Sequence, residues 1–323
     1  MLRLLASARL ASARAPARAA RAVPRPVVAG LYSPLPPSSA RLHTSPSTSS
    51  ETNTISADEI AFFSSLSAEW WNPKGEFGLL HRMNPARVQC LRDELLKERE
   101  LPPARWLEGK DVLDVGCGGG IFAESLARLG ANTLAIDASG SNITVAQTHA
   151  ALDPSLHVLN SPIPPNFTRS TSSDPPRNTL EYRHSAAEEL VKEGKTFDVV
   201  CAVEVVEHVE DPRGFLNCLG ELLKPGGLLL LSTISRTPLA KLLTITLAED
   251  IFRLVSPGTH TYHKYIKPAE LVAFFDEKGW TGTEVRGCPY DPVAGRWRLL
   301  YPGELGGAGE LVNYFAAVRK PLQ

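Results

Sequence analysis

One stretch of the sequence decides the fold, DVLDVGCGGGIFAESLARLGANTLAID at residues 111–137. Val112–Val115 and Thr133–Ile136 are short apolar runs typical of buried strands, and Ile121–Leu129 between them has helical spacing of its apolar residues. The glycines of the intervening turn lack Cβ atoms, so a ligand can approach the backbone, and the helix start offers free N–H groups. The stretch therefore predicts a strand–helix–strand unit that binds a nucleotide-like ligand.

The same alternation continues towards the C-terminus and predicts an α/β fold with a doubly wound, mostly parallel sheet. Further strands are expected at Leu180–His184, Asp198–Ala202 and Leu228–Thr233, with helices at Ser141–Ala150, Ala187–Glu193 and Pro212–Leu223. We expect Trp297–Tyr301 and Val312–Val318 to be the two strands of a closing hairpin or edge.

The N-terminal segment differs in composition from the rest. Residues 1–50 contain seven arginines, no lysine and no acidic residue, and end in a run rich in serine and threonine. This composition predicts a disordered mitochondrial transit peptide, with a basic tail that binds nucleic acid or anionic lipid as the alternative. Without it the chain carries 27 basic against 35 acidic residues, which argues against nucleic acid as a partner.

Three other segments stand out along the chain. Residues 51–110 are expected to form an N-terminal helical lid, with helices at Ala57–Leu66 and at Pro85–Glu100, the second capped by Asn84. The main ligand-binding domain is expected at 111–323, with a proline-rich irregular insertion at 152–179. The apolar stretch 237–256 has helical spacing, which indicates either core burial or an interfacial, membrane-facing helix.

The five cysteines are widely spaced and form neither a C-x-x-C pair nor a zinc pattern, so we expect free thiols. No apolar run has the roughly 18–20 residues that a membrane-spanning helix needs.

The ligand of the glycine turn is constrained by its neighbours. The dinucleotide pattern G-x-G-x-x-G, counted from Gly116, requires glycine where the chain has Ile121, which disfavours a dehydrogenase. Asp137 ends the second strand, where a carboxylate can accept both hydroxyls of a ribose; its alternative role is an N-cap for the next helix. Asp114 lies inside an apolar strand, where an unpaired carboxylate is costly, so a cationic or N–H partner is expected.

A second group of chemical residues follows the predicted fourth strand. Glu204, Glu207 and His208 have i, i+3, i+4 spacing, which in a helical turn places them on one face at the ligand-binding edge of the sheet. Two carboxylates and an imidazole can hold a hard divalent cation. A charged loop in which His208 caps a helix is the alternative. His208 is also a candidate general base if it is not a metal ligand. His81 and His260 are weaker candidates, for which a structural role is favoured.

Several motifs together resemble the ubiquinone-biosynthesis O-methyltransferases of mitochondria, within the class I S-adenosylmethionine-dependent methyltransferases. They are WWNP (70–73), LHRMNPAR (80–87), DVGCGGG (114–120), EVVEHVEDP (204–212), LKPGG (223–227), GTH (258–260) and IKPAE (266–270). The resemblance spans about Ile60 to Val318, interrupted by the insertion. It implies a seven-strand sheet with the glycine turn holding S-adenosylmethionine.

The resemblance also implies roles for individual residues. Arg87, Gly116 and Asp137 are positions that hold S-adenosylmethionine in the family, and Asp114 and Gly118 belong to the same loop. Position 203 is also a cofactor position, and Val203 is assigned only a backbone or packing contact there. The family's magnesium dependence implies Mg²⁺ at Glu204, Glu207 and His208.

The resemblance implies methyl transfer from S-adenosylmethionine to catechol-type hydroxyls of polyprenyl-dihydroxybenzoate and demethylubiquinol. The resemblance further implies a peripheral protein on the matrix side of the inner mitochondrial membrane, associated with other ubiquinone-biosynthesis proteins. Two alternatives remain open at this stage: another small-molecule methyltransferase, and a catalytically silent S-adenosylmethionine-binding scaffold subunit.

Overall fold

The computed structural model describes residues 42, 54, 56–98, 100–160 and 178–322. The predicted transit peptide therefore lies outside the described residues apart from Leu42, which is buried in the hydrophobic core. The centre of the predicted insertion, residues 161–177, also lies outside them. Within the described ranges no helix is both long and apolar enough to cross a membrane.

The central feature is one eight-stranded sheet in the order β3-β4-β2-β1-β5-β6-β10-β7. Its strands are β1 (Asp111–Val115), β2 (Asn132–Asp137), β3 (His157–Val158), β4 (Thr179–His184), β5 (Phe197–Val203), β6 (Leu223–Ile234), β7 (Glu284–Gly287) and β10 (Asn313–Arg319). The first six pair in parallel, whereas β10 is antiparallel to both β6 and β7. Strands β8 (Tyr290–Asp291) and β9 (Arg296–Trp297) form a separate hairpin.

Two helices precede the first strand in the chain, and the others lie between strands. They are α1 (Ala57–Ser65), α2 (Gly78–Leu96), α3 (Ile121–Arg128), α4 (Gly140–Ala150), α5 (Ala187–Lys192), α6 (Pro212–Glu221) and α8 (Pro268–Glu277). Helix α7 begins at Pro238–Ala240 and continues as wider, π-type turns over Lys241–Ile251.

The hydrophobic core lies on the two faces of the sheet because neighbouring strand residues point in opposite directions. In β1, Leu113 belongs to a cluster that includes Val200 of the adjacent strand. Val112 belongs to a second cluster, which includes Val199. The central strands are thus buried on both sides, as their continuous apolar runs indicate, and this confirms the doubly wound α/β architecture.

The sheet has one strand more than the expected seven, because the two-residue β3 pairs with β4 at the edge. The predicted hairpin of Trp297–Tyr301 with Val312–Val318 is wrong. β10 pairs instead with β6 and with β7, which the sequence patterns had not indicated. Leu299 and Leu300 are buried outside any strand, so their apolar character reflects packing only.

Helix α2 begins at Gly78, seven residues before the predicted start at Pro85. Pro85 lies inside the helix, although it lacks the N–H that an interior residue donates. Met83 and Ala86 on either side of it are buried and join the same cluster, so packing outweighs this local cost. Asn84 is not a cap; its side-chain amide donates to Ser125 Oγ (2.9 Å).

The core-burial interpretation of residues 237–256 is wrong for most of the segment. Only Ala240 and Glu249 of the helical part are buried, while Leu242 and Ile251 are 48% and 59% exposed. The apolar spacing therefore produces a surface element.

Candidate functional site

The glycine turn after β1 has a backbone that other residues rarely adopt. Gly116, Gly118 and Gly120 all have positive φ angles, of 69°, 54° and 88°. Such angles lie in the left-handed region, which favours glycine. A Cβ atom on Gly116 would also lie 2.6 Å from a methyl group of Val205. Glycine is thus favoured at these positions by the backbone angles, and at Gly116 also by the close approach of Val205.

Asp137 at the end of β2 anchors this loop. Its Oδ2 accepts the N–H of Gly118 (2.8 Å), and its Oδ1 accepts the N–H of Ser139 (2.8 Å) and the amide of Asn142 (3.2 Å). Burial raises the pKa of Asp137, and the N–H donors oppose that rise. The N-cap of α4 is Ser139, whose hydroxyl accepts the Asn142 N–H, so the N-cap role considered for Asp137 is wrong.

A cavity of about 160 Å³ lies against this loop. Its walls include Gly116, Gly118, Asp137, Asn142 and Ser185. Asn142 belongs to α4, and the other four follow or end neighbouring parallel strands, at the edge where open α/β sheets bind ligands. Carboxylate, amide and hydroxyl groups in a narrow space suit the polar part of a nucleoside.

Asp114 and Arg87 are both buried behind the loop. Neither carboxylate oxygen of Asp114 nor Nε of Arg87 has a hydrogen-bond partner of ordinary geometry. Burial raises the pKa of Asp114 to about 7, against the opposing effects of Arg87 and of the Ala123 N–H. Burial likewise lowers the pKa of Arg87, which the carboxylates of Glu204 and Asp114 oppose. Two opposite charges with unused hydrogen-bonding capacity at a cavity wall suit a ligand that carries both an ammonium and a carboxylate.

The N-terminal helical segment covers the glycine loop. The Trp70 ring stacks on Phe77 at 3.7 Å, and its Nε1–H donates to Asn142 Oδ1 (2.9 Å). Trp71 Nε1–H donates to the Gly119 carbonyl (2.8 Å). Two indoles therefore pack against the loop. Trp70 is held by Phe77 and Asn142, and Trp71 is bound to the loop itself.

A second cavity, of about 650 Å³, opens beside the first. Apolar side chains from α2, from α7 and from the β8–β9 hairpin form much of its wall, including Leu80, Met83, Leu247, Phe252, Tyr290 and Trp297. Val203 and Asp114 line it at the sheet edge. Phe63, Trp70, Gly116, Glu204 and His208 line both cavities, so the two spaces meet at these residues.

Glu204 has a strained backbone at this junction. Its φ of 57° is unfavourable for a residue with a side chain. Three contacts with Ser232 hold it there: the Glu204 N–H is shared by the Ser232 carbonyl (3.0 Å) and hydroxyl (3.1 Å), and the hydroxyl donates to Glu204 Oε1 (2.7 Å). Residues 204–210 form turns, so the expected helical face is wrong. Glu204, Glu207 and His208 nevertheless line one cavity.

Glu207 and His208 differ in their surroundings. Glu207 is buried; its Oε2 accepts the Thr233 hydroxyl (2.9 Å), while Oε1 has no partner. Burial, followed by the charge of Glu204, raises the pKa of Glu207 well above its ordinary value. His208 pairs through Nδ1 with Glu59 of α1 (3.0 Å), and Glu59 also accepts from Lys264 (3.0 Å). Burial opposes ionisation of Glu59, but the hydrogen bond and charge of His208 lower its pKa overall.

Within residues 56–98, 100–160 and 178–322, no three His, Cys, Asp or Glu side chains are arranged to hold a metal ion. The cysteines are all free, as predicted. His81 Nε2–H donates to the Trp70 carbonyl (2.8 Å), which agrees with a structural role for His81.

Several residues of the site were missed in the sequence. Asn142, Ser185, Ser232 and Asn313 contribute to the cavity walls or hold Glu204, and Asn313 approaches Glu204 Oε2 at 3.5 Å. Their positions at the ends of predicted strands or helices were the available signal. Polar residues are common at such ends, however, so the signal was weak.

Comparisons with known proteins agree with this geometry. A family model described as a methyltransferase domain matches residues 79–285. The mitochondrial ubiquinone biosynthesis O-methyltransferase of Schizosaccharomyces pombe is 44% identical over 270 residues, covering 84% of this chain and 88% of that protein. The ubiquinone biosynthesis O-methyltransferase of Azorhizobium caulinodans is 38% identical over 270 residues, 83% of this chain and 94% of that protein.

A solved structure shows the same fold. Magnesium protoporphyrin IX methyltransferase from Synechocystis PCC 6803 with bound SAH has a TM-score of 0.51 at 16% identity. The match covers 81% of this chain and 100% of that one.

Proposed function

The chain belongs to the ubiquinone biosynthesis O-methyltransferase family, and from this we propose that it methylates catechol-type hydroxyls of polyprenyl-dihydroxybenzoate and demethylubiquinol. The observation that carries the proposal is the pair of cavities that meet at Gly116, Glu204 and His208. One is small and polar, against the glycine loop. The other is large and apolar enough for a prenylated ring.

The small cavity, together with the part of the large cavity next to the glycine loop that Asp114 and Arg87 line, fits S-adenosylmethionine, which supplies the methyl group. The glycine loop admits a ligand against the backbone, and Asp137 faces the space expected for the ribose. Asp114 and Arg87 have unused hydrogen-bonding capacity for the amino-acid end. These groups come from three separate parts of the chain: Arg87 from α2, Asp114 with the glycine loop from β1 and its following turn, and Asp137 from the end of β2.

The chain's own contribution to the reaction is mainly alignment. Holding a hydroxyl and a methyl group at reacting distance replaces a bimolecular encounter, an effect that accounts for much of the acceleration in bimolecular transfers. Trp70 and Trp71 close the glycine loop from one side. The apolar wall of the large cavity keeps water away from the prenyl tail and sets the ring's approach.

We also propose Mg²⁺ at Glu204 and Glu207, with His208 beside them. Mg²⁺ usually takes one or two protein carboxylates and keeps water or substrate oxygens elsewhere, so a three-residue ligand set is not required. The unpartnered Oε1 of Glu207 and the pKa of Glu207, raised by burial and by Glu204, are consistent with a missing positive charge. Such an ion would lower the pKa of a catechol hydroxyl.

Glu207→Ala tests the metal site. We expect it to abolish methyl transfer and to leave S-adenosylmethionine affinity, measured by titration calorimetry, near normal. The control is Glu221→Ala, which removes an exposed carboxylate of α6. Wild-type turnover that persists unchanged with excess chelator would count against the metal.

The substrate class is tested by methyl transfer to a short-chain polyprenyl catechol, compared with the same catechol without its tail. Because the large cavity is mostly apolar, the prenylated acceptor should have the lower KM. Each buried methylene should make its binding free energy more favourable by roughly 0.8 kcal/mol. Transfer to unrelated acceptors but to no catechol would identify another small-molecule methyltransferase. Cofactor binding without transfer to any acceptor would indicate a silent scaffold.

We further propose that the protein is mitochondrial, has a transit peptide at residues 1–50 and acts on the matrix side of the inner membrane. The support is α7, where Leu242 and Ile251 are exposed on the outside while Leu247 lines the cavity within. Exposed apolar side chains next to the cavity suit a lipid surface from which a prenyl chain can enter.

Membrane attachment is tested by sedimentation with vesicles of phosphatidylcholine and cardiolipin. Leu242→Asp should reduce binding, whereas Leu152→Asp, at an exposed leucine outside α7, should not. Equal binding by both variants would contradict the role of α7. Association with other ubiquinone-biosynthesis proteins is part of the same proposal and is tested by co-purification from mitochondria.

A further inference from the structure

The Gly258-Thr259-His260 motif is not explained by the functions proposed so far. His260 follows α7, lines the large cavity and has a side chain that is 17% exposed. Its Nδ1 lies 2.6 Å from Oε1 of Glu249, a carboxylate that is only 1% exposed. A histidine at a cavity wall with a buried acidic partner is a common arrangement for proton transfer.

Glu249 is fixed by more than the imidazole. Its Oε2 accepts the N–H of Gly258 (2.8 Å), and its Oε1 also accepts the N–H of His260 (3.0 Å). The backbone of the loop that carries His260 therefore binds the same carboxylate that orients the His260 ring. Since a carboxylate can only accept, the hydrogen of neutral His260 is assigned to Nδ1, and the lone pair lies on Nε2.

His260 also lies close to the place where the two cavities meet. The centre of its ring is 6.3 Å from that of His208, which lines both cavities. His260 lines the large cavity and not the small one, so a hydroxyl that binds Nε2 at the usual hydrogen-bond distance of about 2.8 Å would come from a molecule in the large cavity. The large cavity is the one proposed for the acceptor, and it meets the cavity proposed for the methyl donor at His208.

We propose that His260 is the general base of the transfer and that Glu249 is its positioning residue, an inference that rests on the proposed function. The hydroxyl proton passes to Nε2 of His260 as the oxygen forms its bond to the methyl carbon. The carbon–sulfur bond breaks, and its electron pair stays on sulfur, which becomes a neutral thioether. The imidazolium then loses its proton to water, so charge and atoms balance.

His208 is less suited to this task. Its partner Glu59 is shared with Lys264 and belongs to α1, a surface element of the lid. Its sequence neighbour Glu207 is assigned to the cation site. Glu249, by contrast, serves only the loop of His260 among the residues that the structure describes.

The test compares His260→Gln with a matched control, His263→Gln, which changes an exposed histidine three residues away. With a prenylated catechol as acceptor, H260Q should lower kcat by about 10²–10⁴-fold, the usual range for loss of a general base. The KM for S-adenosylmethionine should stay unchanged. H263Q should match the wild type.

A second acceptor separates proton transfer from packing. A nitro-substituted catechol is already ionised at the assay pH, so it needs no base, and the loss in H260Q should shrink by an order of magnitude or more. Glu249→Gln should lower kcat more with the prenylated catechol than with the nitrocatechol, as H260Q does. Its loss of kcat should be smaller than that of H260Q, because the imidazole is still present and only its orientation changes. Circular dichroism establishes that each variant is folded.

Three results would decide against the proposal. Wild-type kcat in folded H260Q would mean that the base lies elsewhere. An equal loss with both acceptors would mean that His260 acts by packing or binding. If E249Q loses activity equally with both acceptors, Glu249 only maintains the loop. No transfer by the wild type would instead refute the proposed function, which distinguishes the two failures.

Discussion

Replacing Gly118 by alanine tests whether the segment that carries Trp70 and Trp71 is energetically coupled to the glycine loop. A Cβ at this position would lie 2.3 Å from two ring atoms of Trp70, well inside contact distance. Trp70 cannot easily yield, because its ring is stacked on Phe77 and its N–H is bound to Asn142. We therefore expect the substitution to displace the Trp70 segment from the loop.

Two separate costs contribute to the expected loss of stability. The left-handed backbone of Gly118 costs a residue with a Cβ about 1–2 kcal/mol. Forcing extra volume against a fixed ring costs about 1–3 kcal/mol more. G118A should therefore lower the free energy of unfolding by about 2–5 kcal/mol. Gly109→Ala provides the matched control, because Gly109 has a φ of 77° and a Cβ added there would have no neighbouring atom within 4 Å; it should show the backbone cost alone.

The assay is a double-mutant cycle with Trp70→Ala, followed by urea unfolding monitored by far-ultraviolet circular dichroism. Once the indole is removed, G118A should cost no more than G109A, which leaves a coupling of about 1–3 kcal/mol between the two positions. The reasoning would be refuted if G118A cost the same with and without Trp70, or if it cost no more than G109A in the wild-type background.

Two further predictions concern buried polar groups. Because burial raises the pKa of Asp114 to about 7, the folded cofactor-free protein keeps a proton there that the unfolded chain loses near pH 4. This contribution to stability is complete below pH 4 and is lost as the pH rises to 7. Asp114→Asn should therefore stabilise the protein more at pH 8 than at pH 5 in urea unfolding, and an equal effect at both would contradict the shift. Ser232→Ala removes the hydroxyl that binds Glu204 Oε1 and should cost about 1–2 kcal/mol of stability together with turnover, which Ser232→Thr should partly restore; unchanged methyl transfer in the alanine variant would exclude a positioning role.

The parts of the fold that depend on local pattern were predictable from the sequence. The continuous apolar runs of β1, β2 and β5 reflect burial on both faces of the sheet. The helices between these strands were predicted by the helical spacing of their apolar residues. Strand β7 was not predictable in the same way, because Glu284–Gly287 has one apolar side chain and takes its identity from pairing with β10. Pairing between distant segments leaves no periodic signal in either one.

The candidate site shows the same division. Glu204, Glu207 and His208 could be placed at the sheet edge because they follow a strand, but their turn conformation depends on Ser232, 28 residues away. The pairing of His208 with Glu59 joins positions separated by 149 residues. Spacing along the chain identifies which residue types reach the edge, whereas their partners depend on tertiary packing.

The position of β10 has a consequence for the order in which the protein can fold. β10 is the last strand in the chain, yet it lies between β6 and β7. A chain that emerges N-terminus first, from a ribosome or through a membrane pore, exposes β6 and β7 before the strand that joins them is available. Until then, the open edge of β6 is a site for pairing with other chains. Chaperone binding that persists until residues 313–319 have emerged would therefore protect this protein more than one whose strands are added in sequence order.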